Sequence, residues 1–236
     1  LQILNHCSRK HLNWLAVIGA IAFTLPTLLL GVLKLSILTY NIIGFVILSI
    51  LGWYYARSSK LQIWQSLKPG WALGIILAVF MGLVFLSLAS LSNPNLQDEL
   101  SRADAIPLLA RSLLYGLTNA AIVTVFPFII VWRVFGSAAA SRIRKLLVTA
   151  IVVVAIGAVS IFYSLGLPGS LQGDFQTNLV KCMLAGVPTI VSGSPLAAPI
   201  SNFFLQLSEA SSAHNPATQD NRTDSKKPKS SSGGKD

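Results

Sequence analysis

The sequence predicts an all-α protein, a multi-span integral membrane helical bundle, and three observations carry that class. Hydrophobic residues make up 53% of the chain and charged residues only 11%, where a soluble domain of this length carries about 25% charged residues. The apolar residues come in long runs and lack the period of a one-sided helix or strand, as helices facing lipid on several sides require. The basic residues gather in short connections between those runs and in the C-terminal stretch, where Lys and Arg set orientation and meet headgroups. The net charge of +10 therefore points to a bilayer with anionic headgroups as the partner, and not to nucleic acid.

Residues 12–33 form the first expected span, about the 20 residues that a bilayer needs. Pro26 inside it is an expected kink, which neighbouring helices tolerate in lipid. The run follows Arg9 and Lys10 but is too long for a signal-peptide core and has no small-residue cleavage site after it. An uncleaved span behind a cytoplasmic N-terminus, residues 1–11, is expected. Lys34 marks a tight turn into the second span, 35–55. There Asn41 is expected to hydrogen-bond to a neighbouring helix, and Trp53, Tyr54 and Tyr55 to form an interfacial aromatic cluster. The connection 56–70 carries Arg57, Lys60 and Lys68, which assigns it to the cytoplasm. The third span, 71–91, leads to the acidic loop 92–105 with Asp98, Glu99 and Asp104, assigned to the outside.

Residues 106–135 are too long for one untilted span, so a tilt or a division near Gly116 is expected. Arg111, a few residues inside this run, is expected to snorkel to the outer headgroups. Arg133, Arg142, Arg144 and Lys145 return the chain to the cytoplasm, and Pro168 ends a fifth span, 146–167. Between 179 and 207 two shorter apolar pieces meet at Gly193-Ser194-Pro195, as one broken helix or as an antiparallel re-entrant pair. That gives about six or seven membrane segments in a domain spanning 12–207. Residues 208–236 are polar and expected to be a disordered tail, within which Asn221-Arg222-Thr223 fits the glycosylation acceptor pattern. The alternation of basic content predicts an integral protein of the plasma (inner) membrane with its N-terminus in the cytoplasm.

Three segments within 106–207 carry a resemblance. The first is YGLTNAAIVTV, opening at Tyr115 and Gly116; the second is Phe162-Tyr163-Ser164-Leu165-Gly166-Leu167-Pro168; the third is GSPLAAPISNFFLQL, Gly193 to Leu207. In this order they resemble the motifs of the CPBP family of intramembrane proteases (CAAX-processing enzymes and bacteriocin-immunity proteins). Those motifs read YG-x-x-T-EE-x-x-x-R, then an aromatic residue four before a histidine, then a histidine four before an asparagine. The resemblance puts the family glutamates at Ala120 and Ala121 and the arginine at Val125. Thr118 stands one residue early for the family threonine, and a shift by one would put Thr124 on the arginine. The middle histidine falls on Leu167. The last histidine and asparagine fall on Phe203 and Leu207, or on Asn202 and Gln206 if the frame slips by one. Each catalytic position is replaced, which implies a family frame without the family's chemistry.

The residue inventory points the same way without the resemblance. His6, His11 and His214 lie outside the apolar runs, and the eight acidic residues lie in loops or the tail. A metal site or a glutamate-activated water needs imidazole or carboxylate at membrane depth, so neither a catalytic metal nor a cofactor is expected. Cys7 and Cys182 show no metal-type spacing and no disulfide framework. A nucleophile at Ser192 or Ser194 would have only Lys181 as its base, and Lys181 is expected to snorkel instead. Asn202 and Gln206 stand one turn apart on one face, where amides join helices. The expected function is that of a non-catalytic CPBP-like protein binding a membrane partner or a lipidated peptide. An active intramembrane endopeptidase working through Thr124, Asn202 and Gln206, and a small membrane assembly or permeation subunit, are the alternatives. The absence of charge along the spans argues against ion coupling, and the absence of an internal repeat against an inverted-repeat transporter.

Overall fold

The computed structural model describes residues 2–59, 70–92, 105–135, 142–169 and 175–213. The expected loop residues 60–69, 93–104 and 136–141, and the tail from 214 with His214 and the Asn221 tripeptide, lie outside the described residues. Every regular element among those described is helical. Helix α1 (Gln2–Pro26) runs into a π-helical stretch at Thr27–Val32, followed by α2 (Ile37–Ser58) and α3 (Trp71–Ser92). Helix α4 (Ala105–Ala120) continues through a second π-helical stretch, Ala121–Val125, into α5 (Phe126–Phe135). Helices α6 (Arg142–Gly166), α7 (Phe175–Ser192) and α8 (Ala197–Ala213) complete the fold. Five stretches are long and apolar enough to cross a membrane: His11–Val32, Ile37–Ser58, Trp71–Leu91, Ile106–Phe135 and Lys145–Gly166. The chain is an integral membrane protein with the all-α multi-span architecture that its composition predicts.

The packing is that of a bilayer solute. Large apolar side chains such as Ile50, Trp53, Ile76, Phe80 and Leu83 point outward, a surface that would associate in water and that lipid covers. Many of the contacts inside are made by small residues: Ala22, Ala120, Ala185, Ala197 and Ala198 are all fully buried. Lipid tails are as apolar as leucine, so helices here associate through close packing and hydrogen bonds. Helix α4 crosses α8 closely. A Cβ at Gly116 would lie 2.7 Å from the backbone N and Cα of Phe203, so only glycine permits this approach.

The long fourth span is the hub, with 67% of its apolar window buried against 22% for the spans of α2 and α3. It is divided at Ala121–Val125 and not near Gly116. Pro127 supplies the reason: it lacks an N–H and its ring crowds the carbonyl four residues back, and the turn just before it widens. Pro26 likewise adjoins the π-helical stretch of α1. There Thr27 Oγ1 donates to Phe23 O at 2.6 Å and to Gly166 O at 3.1 Å, so a side chain satisfies carbonyls in the disturbed region. Thr118 Oγ1 donates to the backbone carbonyl of Asn41 at 3.3 Å. The expected interhelical bond at Asn41 is thus made by its main chain, because Gly44 lets Thr118 approach, while its side-chain amide is buried without a partner.

The last two helices form an antiparallel hairpin, which decides between the two arrangements left open by the sequence. Ser201 Oγ donates to Ala185 O, and Lys181 Nζ bonds Glu209 Oε1 at 2.8 Å. Gly193 makes the turn at φ +69° while its N–H donates to Thr189 O at 2.9 Å, the usual glycine stop of a helix C-terminus. Residues 208–213, expected in the tail, continue α8.

The chain therefore alternates between two faces. One face holds the ends of α2 and α5 and the starts of α3 and α6. On it His11 Nδ1 lies 3.2 Å from Tyr55 OH, Trp14 packs edge-on against Tyr55, and Arg57 stacks 5.4 Å from the Trp53 ring. Among the described residues this face carries Arg57, Arg133 and Lys145 and no Asp or Glu, which makes it the basic face of the bundle. Helix α8 runs from it to the far face. Arg111 is exposed, as snorkelling requires.

Two outcomes follow. In a Cys7→Ser, Cys182→Ser background, cysteines at Ser212 and Ala105 should react with an impermeant thiol reagent from one side of oriented vesicles, and a cysteine at Ser59 from the other. Reaction of Ser212Cys together with Ser59Cys would contradict the hairpin. Gly116→Val should destabilise the detergent-solubilised protein by about 1 to 3 kcal/mol, the scale of overpacking. Gly31→Val, where an added Cβ meets nothing within 4 Å, should leave thermal unfolding nearly unchanged.

Candidate functional site

Polar side chains converge along the seam where α4, α7 and α8 meet. At its deep end Asn119 Nδ2 donates to Asn202 Oδ1 at 2.9 Å, and Asn202 Nδ2 donates back to Ala198 O at 2.9 Å. Both asparagines are buried, and Asn119 Oδ1 has no hydrogen-bond partner. Asn119 lies about 21 Å along α4 from Ala105 at 1.5 Å per residue, near the middle of a ~30 Å hydrocarbon core. Cys182 of α7 packs within hydrogen-bonding reach of Asn119.

Towards the far face the seam meets hydroxyls. Tyr115 OH and Tyr163 OH lie 3.3 Å apart, joining α4 to α6, and the buried Tyr40 of α2 abuts Tyr163. Beyond them Lys181 Nζ and Glu209 Oε1 form an ion pair at 2.8 Å, and Gln206 Nε2 donates to Glu209 Oε2 at 3.0 Å. The sequence assigns Glu209 to a loose tail and Lys181 to the headgroups. The structure pairs them instead, about 9 Å inside the far-face end of α7 by helix count. Removing a lone charge from water is costly and an ion pair lowers that cost, which accounts for helix α8 continuing past Ser208.

The positions singled out by sequence divide into two groups. Ala120 is fully buried beside Asn119, and Thr124 is fully buried with its methyl and hydroxyl towards Gly186. Asn202 and Gln206 lie on the seam. Ala121 packs partly buried against the main core, and Val125 is half-buried one turn further on. Phe203 stacks edge-on with Phe204 at 5.2 Å, and Leu207 is buried. Leu167 stands apart. It follows Gly166, which packs on the backbone of Phe23 in α1, and it counts to about 16 Å along α6 from the level of Ile156 and Thr124. Its motif partner Tyr163 does reach the seam. Ser192 Oγ donates to Pro188 O at 2.6 Å, and eleven residues of α7, about 16 Å, separate Ser192 from Lys181, so no Ser–Lys pair forms.

Asn119 is the residue that sequence reasoning passes over, although an asparagine inside an apolar run demands a partner in lipid. Chemically the seam offers amides, hydroxyls, a thiol and a neutralised ion pair: it can hold a ligand by hydrogen bonds. Among the described residues no group of three His, Cys, Asp or Glu side chains is placed to hold a metal ion. What the fold defines is a class, the multi-span all-α membrane bundle with a polar intramembrane seam. No protein-family model, curated protein or solved structure matches the chain.

Two substitutions separate structure from chemistry here. Asn119→Ala and Asn202→Ala should each lower stability, and a double-mutant cycle should give a coupling of about 0.6 to 2 kcal/mol, the range for interhelical amides in lipid. Thr124→Val should be neutral or slightly stabilising in the same unfolding assay, since Thr124 Oγ1 is buried without a partner and an isosteric apolar side chain removes that cost.

Proposed function

We propose that this protein is a non-catalytic relative of the CPBP membrane proteases that binds a membrane-protein partner or a lipidated peptide in the α4–α7–α8 seam. The observation that supports it is the bond from Asn119 to Asn202, since it joins the two segments that resemble the first and last family motifs. With both frames slipped by one, Asn119 and Ala120 take the glutamate positions, Thr124 the arginine, Asn202 the histidine and Gln206 the asparagine. Two of these positions, Asn119 and Asn202, bond to each other as amides, while Thr124 faces Gly186. An amide donates and accepts hydrogen bonds but exchanges no proton near neutral pH, so it cannot act as the general base that water attack needs. The one carboxylate on the seam, Glu209, is held by Lys181 and lies about 10 Å along α8 from Asn202. Such a site retains a segment without cutting it. The basic face is cytoplasmic in this reading, because Lys and Arg stay inside, and the seam opens towards the opposite side.

The test uses the full chain in nanodiscs with prenylated and unprenylated peptides carrying a photoactivatable side chain. Crosslinking to α4, α7 or α8 without peptide turnover is the expected result. Turnover that Thr124→Val or Asn202→Ala abolishes, in protein that remains folded, would identify a working endopeptidase and overturn this reading. Absence of both crosslinking and turnover would remove the binding role.

A further inference from the structure

The seam is graded from closed to open. Asn202 and Asn119 are 2% and 3% exposed and Cys182 is 8% exposed, while the side chains of Lys181 and Glu209 are 37% and 34% exposed. The exposed pair lies on the far-face side of the buried amides. At the closed end, Asn119 uses its amide N–H on Asn202 and leaves Oδ1 buried and unpaired. An amide oxygen in a low-dielectric interior loses free energy unless a donor reaches it. Of the polar side chains around it, Asn202 bonds Asn119 and Ala198, Gln206 bonds Glu209, and Tyr115 bonds Tyr163.

We infer that this seam is a binding vestibule, entered from the far face past Lys181 and Glu209, whose deep end takes an uncharged hydrogen-bond donor, an amide N–H or alcohol O–H, on Asn119 Oδ1. Charge selects against ions. An incoming anion must compete with Glu209 for Lys181, and an incoming cation must compete with Lys181 for Glu209. Beyond that pair the described side chains of the seam are amides, phenols and a thiol, with no formal charge to offset desolvation of an ion. A neutral donor crosses the mouth without breaking the ion pair's balance and ends at an acceptor that is waiting for it. The donor can belong to a free solute from the aqueous side or to the headgroup of a bilayer-borne amphiphile; the chemistry at Asn119 is the same. This inference rests on the seam as a binding site and not on the family resemblance.

Cys182 is a native reporter at the right depth. In the full chain carrying Cys7→Ser, reconstituted in oriented vesicles, its reaction with a small methanethiosulfonate reagent is followed from each face. The expected result is modification from the far face at least tenfold faster than from the basic face. That rate should fall at least fivefold with acetamide, a soluble amide, or with a short-chain ceramide, which presents amide and hydroxyl donors from the bilayer. Protection by acetamide alone assigns a solute, and protection by ceramide alone assigns a bilayer-borne ligand; either supports the site. Asn119→Ala should abolish protection while leaving Cys182 reactive, and if that variant does not fold, the protection measured in the Cys7→Ser protein still decides. The mouth is tested separately with the Lys181→Met, Glu209→Gln double variant, which should react faster. A Cys182 that is inert from both faces while Ser212Cys reacts would overturn the vestibule, and reaction without protection by either donor would overturn the site. Loss of prenylated-peptide crosslinking with protection intact would instead sink the family reading and leave this one standing.

Discussion

The approach of α8 to α4 is the contact on which the rest of the bundle depends. In lipid the hydrophobic effect does not drive one helix against another, so shape and hydrogen bonding must do so. Gly116 lets the two backbones come close enough that, one turn further, Asn119 and Asn202 bond directly across the crossing. A β-carbon at Gly116 would move the helices apart by more than the reach of that bond. The same economy recurs at Gly44, where Thr118 reaches a carbonyl of α2, and at Gly166, where α6 lies on the backbone of α1. Small residues set the distances, and polar side chains use them.

A second constraint is that backbone groups in hydrocarbon need partners, and it explains why the irregular turns sit deep in protein. The stretch Ala121–Val125 is enclosed by residues of α6 and α7, with Ile122, Val123 and Thr124 all buried. The π-helical turn of α1 is supported by the hydroxyl of Thr27. Local widening of a helix re-aims the side chains that follow it, so the hub presents Asn119 and Thr124 to different neighbours: Asn202 and Cys182 for the first, Gly186 for the second. Deep polar chemistry and helix irregularity therefore occupy the same few turns of one span.

Spans were legible in the sequence because a bilayer imposes one number, a run of about 20 apolar residues, and the chain meets it five times. Their ends agree with the structure within a few residues. The division of the fourth span is less legible: Gly116 reads as a breaker by composition, yet in lipid it serves a crossing, and the turn widens beside Pro127. The end of α8 is misread for a reason of range. Glu209 looks like the start of a polar tail because its partner, Lys181, is 28 residues away on a neighbouring helix. Asn119 is missed because attention falls on Ala120 and Ala121, the positions that a frame marks, and a frame says nothing of which neighbour faces the core. Asn41 shows the converse: its residue type suggests an interhelical amide bond, and the bond forms through its carbonyl.

The placement of charge ties these features together. Among the described residues the basic face carries Arg57, Arg133 and Lys145 and no carboxylate, while Glu209 sits on the far-face side, bonded to Lys181. A charged pair is tolerated at this depth because its members neutralise one another near the headgroup boundary, and a single carboxylate beside Asn119 would have no such relief. Inward from Glu209 the seam's described side chains are uncharged, and Asn119 Oδ1 is buried without a partner. The amide at that point carries no charge and can both donate and accept hydrogen bonds.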